Sequence, residues 1–298
     1  MGRAAGALLG LVAAGAIVLA GCGAAANNSS QSSGGSTSTS SSSTSSSTAT
    51  TSSSTTTTPP ASSSTAPTTT STVPTLTIAP LATAPNVSAF TGNCSSLGFA
   101  STATGSFSSP SVTAKTGQTF TEKATFWVGY TQTAFYYCAE VQTPDIHSSA
   151  TGPASPTYNA DDMEFWLAPT NDRAAARAPD TYQILANALG GWNNTQGTGT
   201  NQAFNFSWKS GAQVKSVAQG TVNGGYGKAT GWDELIMLPW APMGVSGPPA
   251  AGNEMGFNTG GCILTSAGPC KTTLDWVPGL STGNWHTPAL WGELKVAN

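Results

Sequence analysis

The sequence carries very little charge, and almost none of it lies in the first third of the chain. Charged residues make up 8% of the 298 residues, and no Asp, Glu, Lys or Arg occurs between Arg3 and Lys115. Recognition of phosphate needs clustered lysine and arginine, so the composition argues against nucleic acid as a partner. With only two histidines, His147 and His286, a histidine-rich metal site has too few ligands.

The common catalytic motifs are also absent. The sequence contains no Gly-x-Ser-x-Gly, no His-Glu-x-x-His and no phosphate-binding Gly-Lys-Ser/Thr. Both histidines stand alone in predicted loops, where exposure to solvent is the expectation. The sequence therefore predicts a protein that is not an enzyme.

The first 21 residues are predicted to be a lipoprotein signal peptide. Arg3 precedes an apolar stretch over residues 4–20, which is short for a membrane span of about 20 residues. The ending Leu19-Ala20-Gly21-Cys22 resembles the bacterial lipobox. It predicts cleavage before Cys22, lipidation of that cysteine, and export to the outer face of the bacterial cell membrane, with the lipid as the membrane contact. The alternative is an ordinary secretory signal that happens to contain a cysteine.

Residues 22–74 are predicted to be a disordered tether. From Asn27 to Thr72 the chain is almost entirely Ser and Thr, with prolines near its end. Such a segment has too little apolar surface to offset the entropy lost on ordering. The sequence therefore indicates a flexible stalk between the anchor and a folded domain.

Residues 75–298 are predicted to form one all-β domain, a β-sandwich. Short β-branched and aromatic segments separated by turn residues recur at the spacing typical of sandwiches. The candidate strands are residues 123–130, 134–142, 162–168, 182–189, 203–208, 213–222, 232–238, 255–258, 272–276 and 290–296. Helical periodicity is weak, and residues 173–178 are the best short helix candidate.

Four cysteines fall in this domain. Cys262 and Cys270 flank a short loop and are expected to pair, which leaves Cys94 to join the strand that carries Cys138. Zinc is the competing interpretation, but the spacings lack any Cys-x-x-Cys, and export favours oxidation.

The order of motifs resembles carbohydrate-binding module family 9 and its DOMON-like relatives. The matching segments are ATFWV at 124–128, AFYYCAEV at 134–141, NADDMEFWLAP at 159–169, YQI at 182–184, GWDELIMLPW at 231–240, Trp276 and ALWGEL at 289–294. The resemblance spans roughly residues 120–296. It implies a jelly-roll or immunoglobulin-like sandwich that binds a polysaccharide or oligosaccharide between aromatic rings without catalysis, and that holds structural calcium.

Two predicted loops carry candidate sugar-binding residues. Trp192, Asn193 and Asn194 form one group, and Asn284 and Trp285 form the other. An indole can pack against the C–H face of a pyranose ring while side-chain amides bind its hydroxyls. The alternative for each tryptophan is packing within its own loop.

Asp161, Asp162 and Glu164 are candidate calcium ligands, since Ca²⁺ prefers several oxygen ligands. Asp162 and Glu164 are two residues apart on a predicted strand and so face the same side. The alternatives are a glycosidase pair of carboxylates or ordinary solvent-facing residues, and no calcium-loop motif is present.

Two rival functions remain open at this point. DOMON-type relatives imply haem binding, for which Met163, Met237 and Met255 offer thioether ligands, although methionine in strands usually fills the core. The other rival is a structural or adhesive surface domain without a small ligand.

Overall fold

The computed structural model describes residues 73–149, 151–153, 159–200, 203–264, 272–278, 280 and 284–298. In these residues the regular structure is β-strand and short 3-10 helix, without α-helix, and none of it is a helix long and apolar enough to cross a membrane. The prediction of an all-β sandwich is confirmed. Cys22, the predicted signal peptide and nearly all of the predicted tether lie outside the described residues.

Two sheets form the sandwich. The larger has the strand order β1 (Thr75–Ile78), β15 (Gly292–Val296), β13 (Glu254–Ile263), β7 (Asp162–Ala168), β8 (Tyr182–Asn187), β9 (Trp192–Gly197) and β10 (Phe204–Asn205), with β14 (Thr272–Asp275) also paired to β13. The smaller has the order β11 (Gln213–Gly220), β12 (Ala229–Pro239), β6 (Ala134–Gln142), β5 (Lys123–Tyr130) and β2 (Thr104–Ser108). A separate hairpin joins β3 (Val112–Thr113) to β4 (Thr119–Phe120). Apart from the parallel pair β1–β15, all these pairings are antiparallel.

The core between the sheets is built from aromatic rings. Phe135 and Tyr137 of β6 pack on Phe165 of β7, with ring centroids 5.5 and 5.1 Å apart. The Tyr137 hydroxyl lies 2.7 Å from the Thr259 hydroxyl of the facing sheet. Close packing of such rings stabilises the domain through buried apolar area and fixes which faces of the two sheets meet.

The structure explains why β12 begins with a Gly-Trp motif and ends with a Pro-Trp motif. Gly231 has a φ of +148°, and a Cβ there would lie 1.9 Å from the carbonyl oxygen of Val141, so a larger residue would push β12 off β6. At the other end of the strand, the Trp240 indole nitrogen donates to the Thr131 carbonyl at 3.0 Å. Trp240 thereby fastens the end of β12 to the β5–β6 turn.

The outer face of the smaller sheet is covered by the N-terminal segment, residues 81–99. Leu81, Val87 and Phe90 pack against side chains of β6 and β12, and the backbone N–H of Cys94 donates to the Glu140 carboxylate at 2.7 Å. A disulfide joins Cys94 to Cys138 of β6, as the sequence predicted. Cys262 is also a disulfide cysteine, but Cys270, its expected partner, lies outside the described residues.

Some local predictions were wrong. No helix forms over residues 173–178, because Arg173 adopts a left-handed φ of 52° and its guanidinium donates to the carbonyls of Trp291 and Ala289 at 2.7 Å. Trp192–Gly197, expected to begin as a loop, is strand β9. Strands β1 to β4 were not predicted, since their sequences are short and rich in Thr, Ser and Gly.

The three methionines considered for haem lie in hydrophobic packing. Met163 and Met255 are fully buried in the core between the sheets. Met237 is half-buried under the N-terminal segment.

Candidate functional site

A cavity of about 280 Å³ lies on the outer face of the larger sheet. Phe165 of β7 points into the core, so Asp162 and Glu164, at alternating positions, point outward. The register pairs Glu164 with Leu185 and Leu185 with Asn193, which places these three residues side by side across β7, β8 and β9. This is the face that the N-terminal segment does not cover.

The cavity has a polar floor and aromatic walls. The side chains that rise from the strands of the floor include Glu164, Gln183, Asn193 and Thr195. The rings at its sides are Phe204, Phe206, Trp285 and His286. A few polar groups within an apolar enclosure are typical of small-molecule sites.

Arg177, on the β7–β8 loop, organises the floor. Its guanidinium is fully buried and donates to the Gln183 side-chain oxygen at 3.1 Å and to the Thr195 hydroxyl at 2.9 Å. The Gln183 amide nitrogen in turn donates to a carboxyl oxygen of Glu164 at 2.5 Å. The same guanidinium lies 4.6 Å from the centroid of Phe204, so one cation fixes both floor and wall.

Burial changes the charges in the cavity. Burial raises the pKa of Glu164 to about 8, although the Gln183 hydrogen bond and the Arg177 charge both oppose that rise. Burial, followed by the Arg177 charge, lowers the pKa of His286 to about 4. At neutral pH the Glu164 carboxyl is therefore largely protonated and the imidazole is neutral, and both can exchange hydrogen bonds with an uncharged ligand.

Trp285 forms one wall of the cavity, and three contacts hold it in place. Its ring packs on Trp166 with centroids 5.3 Å apart, and its indole nitrogen donates to the Asp275 carboxylate. The Trp291 indole nitrogen donates to the Trp285 carbonyl at 2.8 Å. The loop that carries Trp285 is thus fastened to the sheet by the tryptophan of the terminal Trp-Gly motif.

The structure separates the five predicted sugar-binding residues. Asn193 and Trp285 line the cavity, whereas Trp192 and Asn194, on the opposite face of β9, line a neighbouring cavity with Asn193. Asn284 is exposed and accepts the Thr287 backbone N–H through its carbonyl.

Sequence reasoning missed several residues that line the cavity or hold its floor in place. Arg177 lay in the predicted helix, and His286 was expected to be exposed but is half-buried against Phe204, with ring centroids 4.9 Å apart. Gln183 stands in the YQI segment, and its register with Trp166, two residues from Glu164, brings it to this face. Only that register could have identified it.

The predicted calcium ligands have other partners. The Asp161 carboxylate accepts the backbone N–H groups of Leu264 and His147 at 2.5 and 2.7 Å. The Asp162 carboxylate accepts the Cys262 N–H at 2.9 Å, and Glu164 lines the cavity. Among the described residues, no group of three or more acidic, histidine or cysteine side chains could hold a metal ion.

The chain matches the family described as Carbohydrate family 9 binding domain-like over residues 101–298. It therefore belongs to that family, as the order of its motifs predicted. No curated protein matches the sequence.

One solved structure agrees with the fold. A putative carbohydrate-binding protein from Bacteroides uniformis ATCC 8492 superimposes with a TM-score of 0.53 at 18% identity, covering 76% of this chain and 100% of the other. Two structures of a carbohydrate-binding module family 9 from Caldicellulosiruptor kristjanssonii are also similar. The complex with cellotriose has a TM-score of 0.48 at 18% identity and covers 76% of this chain and 94% of the other. The complex with glucose has a TM-score of 0.44 at 22% identity and covers 59% and 78%.

Proposed function

We propose that this protein binds carbohydrate without catalysis, in the cavity between Trp285 and Phe204. The observation that carries the proposal is a hydrogen-bonding floor enclosed by aromatic rings, in a domain of a carbohydrate-binding family. Its volume of about 280 Å³ is just below the roughly 300–1,000 Å³ of sites for drug-sized ligands, which suits one sugar ring.

The chemistry of a pyranose ring fits the two kinds of lining. Its C–H face is apolar and gains contact with an aromatic ring, and its hydroxyls need donors and acceptors in place of water. The Asn193 side-chain oxygen accepts the Asn194 N–H at 2.8 Å, and its amide nitrogen has no hydrogen-bond partner among the described residues. That nitrogen is available to donate to a sugar hydroxyl.

Replacing Asn193 with alanine is expected to weaken sugar binding about tenfold, which corresponds to about 1.4 kcal/mol. The change removes a donor from the floor and leaves Arg177 and its partners in place. The measurement is isothermal titration of the protein with glucose, xylose, galactose and mannose and with their β-1,4-linked oligosaccharides.

The matched control is Gln118→Ala, which removes an exposed amide from the β3–β4 turn. Its affinity should equal that of the unmodified protein, and thermal melting of both variants checks that they fold. Absence of heat with every sugar from a folded protein would refute the proposal. Equal losses in the two variants would refute the assignment of the cavity.

We further propose that the domain is presented at the cell surface, with residues 1–21 as a signal peptide, Cys22 as the lipidated residue, 22–74 as a tether and 75–298 as the binding domain. The Leu-Ala-Gly-Cys ending of the apolar stretch supports this arrangement. Replacing Cys22 with alanine in a bacterial host is expected to move the protein from the membrane fraction to soluble fractions or to leave it uncleaved. Fractionation and the mass of the N-terminal peptide measure this. An unlipidated Cys22 in the unmodified protein would contradict the anchor.

A further inference from the structure

The indole N–H of Trp166 is fully buried and has no hydrogen-bond partner among the described residues. A buried indole N–H normally finds an acceptor, since leaving it unpaired in the interior is unfavourable. Four other buried tryptophans do donate to a carbonyl or carboxylate oxygen: Trp208, Trp240, Trp285 and Trp291. The Trp166 donor therefore needs an acceptor close to it.

A second unpaired group faces Trp166 across the paired strands. Asn258 of β13 is directly opposite Trp166 of β7 in the register and is also fully buried. Neither the oxygen nor the nitrogen of its amide has a hydrogen-bond partner among the described residues. Thr259 bonds Tyr137 inside the core, so Asn258, one position away, lies on the outer face together with Trp166.

The spacing of these two groups suits a bridging water molecule. Facing residues of paired strands have Cβ atoms about 4.5–5.5 Å apart, which one water can span between two polar atoms. The Trp166 N–H and the Asn258 amide are not in direct hydrogen-bond contact, and buried polar groups without a protein partner are usually satisfied by ordered water. A water between them accepts the indole hydrogen and donates to the amide oxygen.

Trp166 supports two of the rings that enclose the cavity. Its ring centroid lies 5.3 Å from that of Trp285 and 6.4 Å from that of His286. Trp166 and Asn258 do not themselves line the cavity. A group that fixes the Trp166 ring therefore also fixes the wall of the cavity, without contact with a ligand.

We propose that Asn258 is a positioning residue for this wall, acting through a buried water molecule that joins its amide to the Trp166 indole N–H. The bridge holds the Trp166 ring in the orientation that supports Trp285 and His286. The bridge follows from the unpaired groups alone, whereas its effect on sugar affinity rests on the proposed function.

The bridge is tested by NMR on the unmodified, isotope-labelled protein. The indole resonance of Trp166 is identified as the one that is lost in Trp166→Phe. We expect a nuclear Overhauser effect from water to this indole hydrogen, with the sign of a water that stays bound, and its loss in Asn258→Leu. Absence of the effect in the unmodified protein would overturn the bridge, whether or not any variant folds.

The positioning role is tested by titration with glucose, xylose, galactose and mannose. Asn258→Leu and Trp166→Phe each remove one end of the bridge and are expected to weaken binding of the tightest of these sugars about fivefold. The double variant should be weakened by about the same factor, because both changes break one bridge. The control is Trp240→Phe, which removes an indole hydrogen bond outside the cavity and should leave the affinity unchanged.

Failure of the positioning role differs from failure of the proposed function. Unchanged affinity in a folded Asn258→Leu variant, or single effects that multiply in the double variant, would overturn the role and leave the proposed function standing. No binding of any of the four sugars by the folded unmodified protein would overturn the role together with the proposed function, even where the water signal is seen.

Discussion

Replacing both Cys94 and Cys138 with alanine is expected to lower the free energy of unfolding by about 4 kcal/mol. The disulfide joins residues separated by 44 positions, and closing a loop of that length removes about this much conformational freedom from the unfolded chain. The bond also holds Leu81, Val87 and Phe90 against the smaller sheet, so its loss should expose that face. The measurement is chemical denaturation of both proteins under non-reducing conditions.

Ser95→Ala is the matched control for this prediction. Ser95 follows Cys94 in the same short helix, and its hydroxyl donates only to the exposed side chain of Asn93. Surface changes of this kind are usually within about 0.5 kcal/mol. A double alanine variant that unfolds at the same denaturant concentration as the unmodified protein would show that packing alone holds the segment.

Replacing Glu164 with glutamine is expected to make the stability of the protein less dependent on pH. The pKa of this carboxyl rises from 4.5 to about 8 on folding. Between those values the folded protein retains a proton that the unfolded chain has lost. The resulting stability is fully present below about pH 4.5 and is lost as the pH rises toward 8. Each pH unit in that window is worth about 1.4 kcal/mol.

The stability curve of the Glu164→Gln variant should therefore be flatter by up to about 1.4 kcal/mol per pH unit between about pH 5 and pH 7. Urea denaturation across this range measures the slope for both proteins. Burial also raises the pKa values of Glu122, Asp161 and Glu234, and these groups are common to both proteins. Burial, and after it the Glu164 charge, raises the pKa of Asp162, so the variant also loses that second contribution.

His286 acts in the opposite direction, because its pKa falls from 6.5 to about 4 on folding. The contribution of His286 to stability is lost as the pH drops through that window in both proteins, so it does not enter the difference between the two slopes. Glu254→Gln removes a carboxylate outside the cavity and serves as the control for the change in formal charge. Identical slopes for the unmodified protein and the Glu164→Gln variant would show that Glu164 is ionised in the folded protein.

Much of the fold could be predicted from the sequence because alternation is a local property. Strands β5, β6 and β7 begin and end where the sequence predicted, at Lys123–Tyr130, Ala134–Gln142 and Asp162–Ala168. The same alternation placed Asp162 and Glu164 on one face. The order of motifs identified the family, which the match over residues 101–298 confirms.

The cavity could not be predicted in the same way. Alternation assigns residues to a face of one strand, but the register with the next strand decides which side chains become neighbours. Gln183 and Thr195 meet because β8 and β9 pair them, and Glu164 joins them through the Gln183 amide. Trp192 looked like a loop residue because Gly190 and Gly191 precede it, but pairing with Ala186 makes it part of β9.

The sequence by itself predicted the class of fold, the Cys94–Cys138 link and the family, because strand periodicity, cysteine spacing and motif order are written along the chain. The tertiary structure alone decided where Arg177 lies and therefore what the cavity can bind. Burying a guanidinium is unfavourable unless hydrogen-bonding partners surround it, and its partners here come from different strands. Those partners converge only when the sheet has formed.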